Sequence, residues 1–572
     1  MTSVKYFFLL PILFLGFILH AQQNDLPADI KASILQRIDA GKNPSIVVGI
    51  LDSNGPRYFS FGKTTENGKK VDEHSIYEIG SISKVFTATL LADMIIKGQL
   101  SVDDPIEIFL PISVHVPTYE GKHITLGNLS DHTSSLPRMP DNFDPADPLN
   151  PYADYTVDQM YSFLSSYTLT RPIGSQYEYS NLAVGLLGHI LSLKAGVSYE
   201  DLLTRTVTAP LHMDETRITL SGEMKKNLAI GHTMGMEVPN WDLPTLAGAG
   251  AIRSSVSDML KFLSVQMGIT ASPLSKAIEL THQPRHDKAN GNSVGLGWHI
   301  APGGEHEIIW HNGATGGYTT FIGFCNDTKT GVAVFTNSSE NVDDIGFHLL
   351  NPERELKSVK PGIIKKLKEI IEKDGADKLT EKFMALKQKN ADEYEISEND
   401  INTLGYYYLS LKKNEPALAL FSINVMEYPN SANAYDSYAE ALMKNGDNEL
   451  AIKNYKKSLE LNPGNSNAVE MLEKMGTHPE LPEVKVDGTI LETYVGTYEL
   501  VPGFDIVVTK EEDHLFAQAT GQDKFEIFPK SSTEFFYKVV DAQINFNKND
   551  DGKIITLTLH QGGRDITGKK KE

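Results

Sequence analysis

Apolar residues lie on almost every side of a helical segment within residues 76–100, directly after a short run that favours a β-strand. A helix that is hydrophobic all round is a buried one, and Gly98 supplies its end. The polar start of the segment contains Ser81 and Lys84, which share one face of the helix because they are three positions apart. We therefore expect a hydroxyl group and an amine to lie together at the N-terminal end of a buried helix.

The pattern on both sides of this helix predicts an α/β domain whose sheet is antiparallel. Two alternating apolar runs, 45–51 and 57–62, are separated by a turn that contains Asn54-Gly55, the strongest short signal for a hairpin. After a long stretch of helix and loop, strands are expected to resume at His306. The helices predicted in this part of the chain cover residues 28–42, 156–167, 180–193 and 256–267.

Beyond residue 345 the pattern becomes helical, with a predicted helix pair at 363–389 and a true repeat after it. Equivalent positions recur 34 residues apart and resemble tetratricopeptide repeats that end in a capping helix. Two interpretations of the repeats stay open: they are a structural bridge, or they form a docking groove for a protein or peptide partner. The matched positions are Ala417 with Ala451, Phe421 with Tyr455, and Pro429 with Pro463.

From Thr489 onward the chain reads as short strands separated by polar turns. Many short antiparallel strands at regular spacing predict a small barrel or a sandwich. No pattern of residues in this part points to catalysis.

Composition narrows the classes of function. A chain of 572 residues is too long for one core, so several domains are expected. The net charge of −21 excludes a nucleic-acid-binding surface and disfavours an anionic membrane. Cys325 is the only cysteine, so no internal disulfide can form. Residues 1–21 carry Lys5, an apolar run and a cleavage-like ending, which predict a signal peptide, export to the periplasm or medium, and no membrane span after signal removal.

The spacing of Ser81 and Lys84 has a chemical meaning. A lysine amine that is desolvated can lose its proton near neutral pH and take the proton of a serine hydroxyl. The N-terminus of the helix adds backbone N–H groups that favour developing negative charge. The motif alone is weak, because Ser410 and Lys413 repeat it within a polar helical segment. An ordinary serine at a helix start is the alternative interpretation.

Three more residues have side chains suited to this chemistry. Tyr179 and Asn181 stand at the start of an apolar helix, and His311 ends an apolar strand before a glycine-rich break. A phenol can shuttle a proton when a nearby ammonium lowers its pKa, and an asparagine amide can hold the lysine and a substrate carbonyl. The structural alternative is that Tyr179 belongs to the core and that Asn181 caps the helix.

Together, GSISK at 80–84, YSN at 179–181 and HNG at 311–313 resemble the motifs of the serine β-lactamase and penicillin-binding-protein superfamily, in particular its class C and esterase branch. The resemblance covers about residues 25–345, and the segment YVGTYEL near the C-terminus is similar to a β-domain of unknown function that is often appended to these hydrolases. Four further blocks stand in the order that the family has, at 100–111, 126–137, 248–262 and 295–298.

The resemblance implies a role for each motif residue. Ser81 is implied to be the acylated nucleophile, Lys84 and Tyr179 to be the proton-relay pair, and Asn181 to contact both the lysine and the substrate. The backbone N–H groups of Ser81 and Ala314 are implied to hold the oxyanion.

The third motif departs from the family, which usually has Lys-Thr-Gly at this point. Here the substrate-binding positions are His311 and Gly313, so an imidazole replaces a permanent ammonium. We expect weaker binding of anionic substrates, with an improvement toward acid pH as the imidazole becomes protonated.

Two other patterns point to different chemistry. Ser293 stands in a G-x-S-x-G sequence, the elbow of the α/β-hydrolases, but the elbow needs a buried strand before it and a helix after it. His306, Glu307 and His311 have an H-E-x-x-x-H spacing on a predicted strand, where these side chains do not converge on a metal. We expect no metal and no cofactor.

The sequence therefore predicts an antiparallel α/β domain of the β-lactamase or transpeptidase type with a helical subdomain, then an α-helical repeat module and a small all-β domain. The predicted function is that of an exported serine hydrolase that forms an acyl-enzyme with small esters or peptide-like amides, D-amino-acid peptides and β-lactams among them. A class C β-lactamase proper and a non-catalytic scaffold that binds through the repeats are the alternatives. The predicted segments are a signal peptide at 1–21, the hydrolase domain at 25–345, a helical linker at 346–399, the repeats at 400–476 and the β-domain at 485–572.

Overall fold

The computed structural model describes residues 25–288, 291–389, 394–477, 485–501, 504–540, 542–549, 553–561 and 564–571. The chain divides into two compact units, Met1–Pro361 and Gly362–Glu572, here called the first and second unit. The predicted signal peptide at 1–21 lies outside the described residues.

The described part of the first unit contains helices α1–α11 and strands β1–β12. The helices are α1 (Ala28–Asp39), α2 (Ser83–Ile96), α3 (Leu126–Ser130), α4 (Val157–Ser166), α5 (Asn181–Ala195), α6 (Tyr199–Leu203), α7 (Gly222–Asn227), α8 (Ala247–Gly250), α9 (Val256–Gln266), α10 (Ser275–Thr281) and α11 (Asp343–Leu350). The strands are β1 (Ser45–Asp52), β2 (Gly55–Gly62), β3 (Tyr77–Glu78), β4 (His232–Thr233), β5 (Met236–Glu237), β6 (Arg253–Ser254), β7 (His286–Asp287), β8 (Ser293–Val294), β9 (His299–Gly303), β10 (His306–Ala314), β11 (Thr319–Cys325) and β12 (Thr330–Thr336).

An eight-stranded sheet with the order β2-β1-β12-β11-β10-β9-β8-β7 is the framework of the first unit, and its strand pairs are antiparallel. The predicted hairpin is present, with Ser45 opposite Gly62 and Asp52 opposite Gly55. The expectation that strands resume only at His306 is wrong, because β7, β8 and β9 precede β10 in the sheet. Two of these strands have two residues each, and β9 contains Pro302 and Gly303, so none shows a clear alternation.

Both faces of the sheet are covered by helices. Alternate residues of β1 enter different apolar clusters, because successive side chains of a strand point to opposite faces. Ile46 and Val48 belong to a cluster that includes residues of α1 and α11, whereas Val47 belongs to the cluster that includes residues of α2, α5 and α9. The predicted central helix α2 is buried along most of its length, and Phe86 stacks on Phe262 of α9 with ring centroids 4.3 Å apart.

The described part of the second unit contains helices α12–α19 and strands β13–β20. The helices are α12 (Ile363–Asp374), α13 (Leu379–Lys389), α14 (Glu398–Ser410), α15 (Asn414–Glu427), α16 (Ala432–Asn445), α17 (Asn448–Leu461), α18 (Ser466–Lys474) and α19 (Gly488–Tyr494). The strands are β13 (Gly496–Val501), β14 (Phe504–Glu511), β15 (His514–Ala519), β16 (Lys524–Pro529), β17 (Glu534–Tyr537), β18 (Ala542–Lys548), β19 (Ile554–Gln561) and β20 (Arg564–Lys570).

The helical pattern of the second unit agrees with the predicted lengths and positions. Helices α12 and α13 form at the predicted helix pair, and α14–α18 follow as consecutive helices. The matched residues Ala417 and Ala451, and Phe421 and Tyr455, are all buried. Identification of these helices as tetratricopeptide repeats stays a prediction.

The C-terminal strands form a closed barrel in sequence order, and the pairing of β13 with β20 closes it, with Tyr498 opposite Lys570. The expectation of a barrel or sandwich thus resolves to a barrel. The first predicted strand is partly wrong, because residues 488–494 form α19. The Asp487 side chain accepts a hydrogen bond from the backbone N–H of Thr489 and caps this helix, which buries Leu491 and Tyr494 on one side.

Within the described ranges, no single helix is long and apolar enough to cross a membrane; the bent pair Asn181–Ala195 and Tyr199–Thr208 passes that test by length and composition only.

We predict that residues 25–361 fold alone, whereas a chain cut after Ile345 loses roughly 4 kcal/mol or more of stability. The shorter chain lacks Phe347 and Leu350, which pack against the sheet, and removal of one large buried side chain costs about 2–5 kcal/mol. It also lacks the hydrogen bond from Gln36 Nε2 to the Val359 carbonyl, 2.9 Å. Urea titration followed by circular dichroism measures both chains, and equal midpoints with equal slopes would contradict the prediction.

Candidate active site

Ser81 lies in a tight 3₁₀ turn, Gly80–Ile82, that joins β3 to α2. Lys84 follows in the first turn of α2, and its side chain has an exposed fraction of 0%. The Lys84 Nζ lies 2.9 Å from the Ser81 Oγ. The predicted pairing of hydroxyl and amine at the end of a buried helix is therefore present.

Burial, with a smaller contribution from the Arg138 guanidinium, holds the pKa of Lys84 well below its usual value. A neutral amine has two N–H bonds and one lone pair. The Asn181 Oδ1 at 2.9 Å and the Ala249 carbonyl at 2.7 Å are acceptors only, so they take the two N–H bonds. In the neutral form the lone pair is left for Ser81, whose O–H can donate to it, so Lys84 is placed to act as a base.

Tyr179 is half-buried at the edge of the cleft, with its ring centroid 4.8 Å from the Lys84 Nζ. Burial raises the pKa of Tyr179, while a hydrogen bond with Ser81 and the charge of Arg138 oppose that rise only in part. The expectation that a nearby ammonium lowers the pKa of this phenol is not met, because burial is the largest influence on the phenol and raises its pKa. Tyr179 thus keeps its proton and is suited to donate it.

Two glycines allow the turn that carries Ser81 to approach the end of β10 closely. A Cβ on Gly313 would lie 1.9 Å from the Ile79 carbonyl oxygen, and a Cβ on Gly80, which has a φ of +49°, would lie 2.7 Å from the Ala314 nitrogen. No other residue type fits either position without a backbone shift. The backbone of Ala314 is thereby brought beside the turn of Ser81, as two convergent oxyanion donors require.

His311 is fully buried, in contrast to the expectation that it faces an anionic substrate. Its Nδ1 donates to the Asn312 carbonyl at 2.6 Å, so the neutral ring has its lone pair at Nε2. Burial is the largest cause that lowers the pKa of His311 to about 3. This low pKa argues against the expected improvement of anion binding toward acid pH, because the imidazole is then neutral at neutral and mildly acidic pH.

These groups open onto a cleft of about 450 Å³. Ser81, Tyr179, Asn181, Gly313 and Ala314 line it, whereas Lys84 and His311 lie behind its wall. The remaining lining residues are Gly80, Arg138, Tyr152, Trp241, Leu243, Ala249, Gly250, His299, Asn312 and Thr315.

Two buried histidines of this site were not singled out from the sequence. His132 stacks on Tyr179 with ring centroids 4.5 Å apart, and His299 stacks on His311 at 4.9 Å. Burial, as the largest cause, holds the pKa of both well below its usual value, and the backbone N–H of Ser180 donates to the His132 Nδ1. These neutral rings form part of the dry wall around the phenol and the amine.

Arg138, Tyr152 and Trp241 were also missed. Tyr152 accepts a hydrogen bond from the Asn181 Nδ2 at 3.3 Å, and this contact fixes which amide atom faces the lysine. Arg138 directly follows the block at 126–137 that resembles the family, and this position is the one feature of the sequence that could have pointed to Arg138 as a site residue.

The competing nucleophile, Ser293, does not sit in an elbow. It belongs to the two-residue strand β8, which pairs with β9, and no helix follows it. Ser293 is also absent from the residues that line the cleft.

The residues of the H-E-x-x-x-H pattern do not come together in the described structure. His306 instead lies with Cys325 and Asp327, where the possible ligand atoms are within 4.8 Å of one another. Its Nδ1 hydrogen-bonds to the Asp327 Oδ2 at 3.0 Å, and the buried Cys325 lies apart from the cleft. This is the one grouping in the described ranges that could hold a metal ion, and it has no part in the cleft.

The chain matches two family models. The beta-lactamase model matches residues 30–348, and a domain of unknown function, DUF3471, matches residues 481–570. The first match spans more than half of the chain and contains every motif residue described above.

Individual proteins of the same family are also similar to this chain, at low sequence identity. The D-alanyl-D-alanine-carboxypeptidase/endopeptidase AmpH of Escherichia coli K12 is 28% identical over 322 residues, which are 52% of this chain and 82% of AmpH. A beta-lactamase of Pseudomonas fluorescens is 26% identical over 329 residues, 51% of this chain and 88% of that enzyme. The crystal structure of a class C beta-lactamase from Rhodobacter sphaeroides matches with a TM-score of 0.50 at 24% identity, over 56% of this chain and 97% of that one, and shows the shared fold.

We predict that Gly313→Ala lowers the rate of Ser81 acylation by a fluorophosphonate probe roughly 10²- to 10³-fold, the usual loss when one oxyanion donor is displaced. The new Cβ would meet the Ile79 carbonyl and push β10 away from the turn. Gly222→Ala is the matched control, because a Cβ there has nothing within 4 Å. Labelling rates by mass spectrometry measure both variants. Unchanged labelling in a folded Gly313→Ala protein would remove Ala314 from the oxyanion site.

Proposed function

The chain belongs to the beta-lactamase family, and we propose that it is a serine hydrolase that acts through an acyl-enzyme on Ser81. The observation that carries this proposal is the neutral Lys84 amine, whose two N–H bonds are taken by Asn181 and Ala249 and whose lone pair faces the Ser81 hydroxyl. That arrangement activates a nucleophile and has no structural purpose at a helix start.

In the first step, the Ser81 Oγ bonds to the substrate carbonyl carbon while its proton passes to the Lys84 Nζ. The carbonyl electron pair moves to oxygen, where the N–H groups of Ser81 and Ala314 stabilise it. The bond to the leaving group then breaks as the Tyr179 phenol donates a proton to the departing atom and recovers one from Lys84. A general base and acid of this kind contribute typically 10²- to 10⁴-fold to the rate.

Water completes the cycle by the same route. One water proton passes to the neutral Lys84, the water oxygen bonds to the acyl carbon, and the Ser81 Oγ leaves with that proton. Because burial keeps the pKa of Lys84 low, the base form persists well below the usual range of a lysine. Activity on a neutral ester should therefore fall only as the pH drops through this lowered pKa.

We propose small acyl esters and peptide-like amides as the substrate class, D-amino-acid peptides included. The name of AmpH, a D-alanyl-D-alanine carboxypeptidase/endopeptidase, favours peptide amides. The alternative is a class C β-lactamase proper, which the relatives named beta-lactamase favour. The absence of a permanent ammonium at position 311 counts against that alternative. A purely binding scaffold is disfavoured by the Lys84 arrangement.

We also propose that the enzyme is exported to the periplasm or the medium. The support for this is the sequence of residues 1–21, with Lys5 ahead of an apolar run and a cleavage-like ending.

We predict that Ser81→Ala abolishes covalent labelling by fluorophosphonates and penicillins and abolishes ester hydrolysis, since the substitution removes only the attacking oxygen. Ser293→Ala is the control and should keep both activities. Intact-protein mass spectrometry and turnover of p-nitrophenyl butyrate measure the two variants. If Ser293→Ala is the inactive one, the nucleophile has been misassigned, and if the wild type labels with neither probe the scaffold alternative is favoured.

We predict that His311→Lys raises the ratio of kcat/KM for nitrocefin to that for p-nitrophenyl butyrate at least about tenfold. One charge pair at 4 Å is worth roughly 4 kcal/mol at an effective dielectric of 20. We expect only part of this, because residue 311 is buried behind the cleft wall and a charge there also carries a desolvation cost. His311→Gln, which is also neutral, should leave the ratio near that of the wild type.

The wild-type ratio should stay flat from about pH 5.5 to 8.5, because His311 titrates near 3 and is neutral throughout. A wild-type enzyme that hydrolyses nitrocefin as efficiently as a dedicated β-lactamase would show that the missing ammonium is not limiting, and the β-lactamase alternative would then hold.

A further inference from the structure

The cleft needs a positive charge if its substrates are anionic, and the third motif does not supply one. His311 has a pKa lowered to about 3 and lies behind the wall, and the fully buried Lys84 amine is held by Ser81, Asn181 and Ala249. Among the described residues that line the cleft, Arg138 is the one with a permanent charge. A single guanidinium therefore supplies the permanent charge of the described cleft lining, in a protein whose net charge is −21.

The backbone of Arg138 is fixed beside the catalytic groups. Its carbonyl accepts hydrogen bonds from the backbone N–H of Asn181 at 3.0 Å and of Leu182 at 3.3 Å. The preceding carbonyl, of Pro137, accepts from the Ser180 Oγ at 2.6 Å. These hydrogen bonds fix the backbone of Arg138 relative to the start of α5, where Asn181 lies. A binding residue gains from such a fixed position next to the catalytic groups.

The guanidinium of Arg138 points toward the reacting groups. Its Cζ lies 5.2 Å from the centroid of the Tyr179 ring, and its charge lowers the pKa of both Lys84 and Tyr179. No carboxylate pairs with Arg138 in the portion of the protein that the structure describes, and the residue is exposed. The other nearby cation, Lys288, lies over the Tyr177 ring at 4.1 Å and does not line the cleft.

We propose that Arg138 binds a carboxylate of the substrate and so determines specificity for anionic esters and peptides. The guanidinium presents paired N–H donors that match a carboxylate, which a lysine ammonium does not. This inference rests on the proposed hydrolase function. It means that the anion-binding position has moved from the strand of His311 to the loop that follows α3 and is hydrogen-bonded to the start of α5.

The test uses matched chromogenic esters with the full chain. One pair differs in the acyl part, p-nitrophenyl hydrogen glutarate against p-nitrophenyl methyl glutarate, and the other in the leaving group, 3-carboxyphenyl butyrate against phenyl butyrate. For each pair, the ratio of kcat/KM for the anionic ester to that for the neutral ester is the readout. We expect Arg138→Gln to lower this ratio about tenfold or more in at least one pair, mainly through KM, and the affected pair identifies which end of the substrate the guanidinium holds.

Three controls isolate the contact from the general field. Arg138→Lys keeps the charge but not the paired N–H donors, so its ratio should lie between those of Arg138→Gln and the wild type. Arg205→Gln removes an exposed arginine that lies outside the cleft, and should change nothing. Lys288→Gln removes the second nearby cation and should have a much smaller effect than Arg138→Gln.

Each outcome has a definite meaning. The role of Arg138 would be overturned if the ratio is unchanged in both pairs in a folded Arg138→Gln protein. It would also be overturned if Lys288→Gln lowers the ratio equally. In either case, continued hydrolysis of the neutral esters would leave the proposed function intact. If the wild type turns over none of the four esters and Ser81 takes no fluorophosphonate label, the proposed function itself has failed, and the inference fails with it.

Discussion

The buried Lys84 amine is the constraint on which the site depends. Two carbonyl-type acceptors, from Asn181 and Ala249, take its N–H bonds, and its complete burial holds its pKa well below the usual value. Any change that lets water reach this amine would restore its charge and reverse the hydrogen bond with Ser81. The all-round burial of α2 is thus a chemical requirement as well as a source of stability, because the low dielectric is what makes the lysine a base.

Much of the fold and part of the candidate site could be predicted from the sequence. The apolar helix and the spacing of Ser81 and Lys84 determine their own contact, because helix geometry brings residues three apart together. The antiparallel sheet with its hairpin, and the C-terminal barrel, follow from the alternation of apolar and polar residues in the strands and from the turn residues between them. Tyr179 and Asn181 could be connected to Ser81 only through a family resemblance, since the contacts cross almost a hundred residues and no local pattern encodes them.

The incorrect expectations about the site share one physical cause. Residue type alone suggested a titratable imidazole at 311 and a phenol with a lowered pKa at 179, yet burial dominates the pKa of both in the folded chain. The extent of desolvation depends on the packing of side chains from distant elements, such as His132 and His299 around Tyr179. The strands before β10 were missed for a simpler reason, since two-residue strands have no period to detect.

The order of strands in the sheet has a consequence for how the first unit folds. Strand β1 lies between β2 and β12, and Ile46 is opposite Thr336, so one of the earliest strands to be synthesised pairs with the last strand of the sheet. The centre of the sheet therefore cannot close until nearly the whole unit has left the ribosome, and closure of so long a loop is slow. Until β12 has been synthesised, the hairpin of β1 and β2 has one edge of β1 without a partner strand. A nascent chain of this topology stays unfolded long enough for chaperones to act on it.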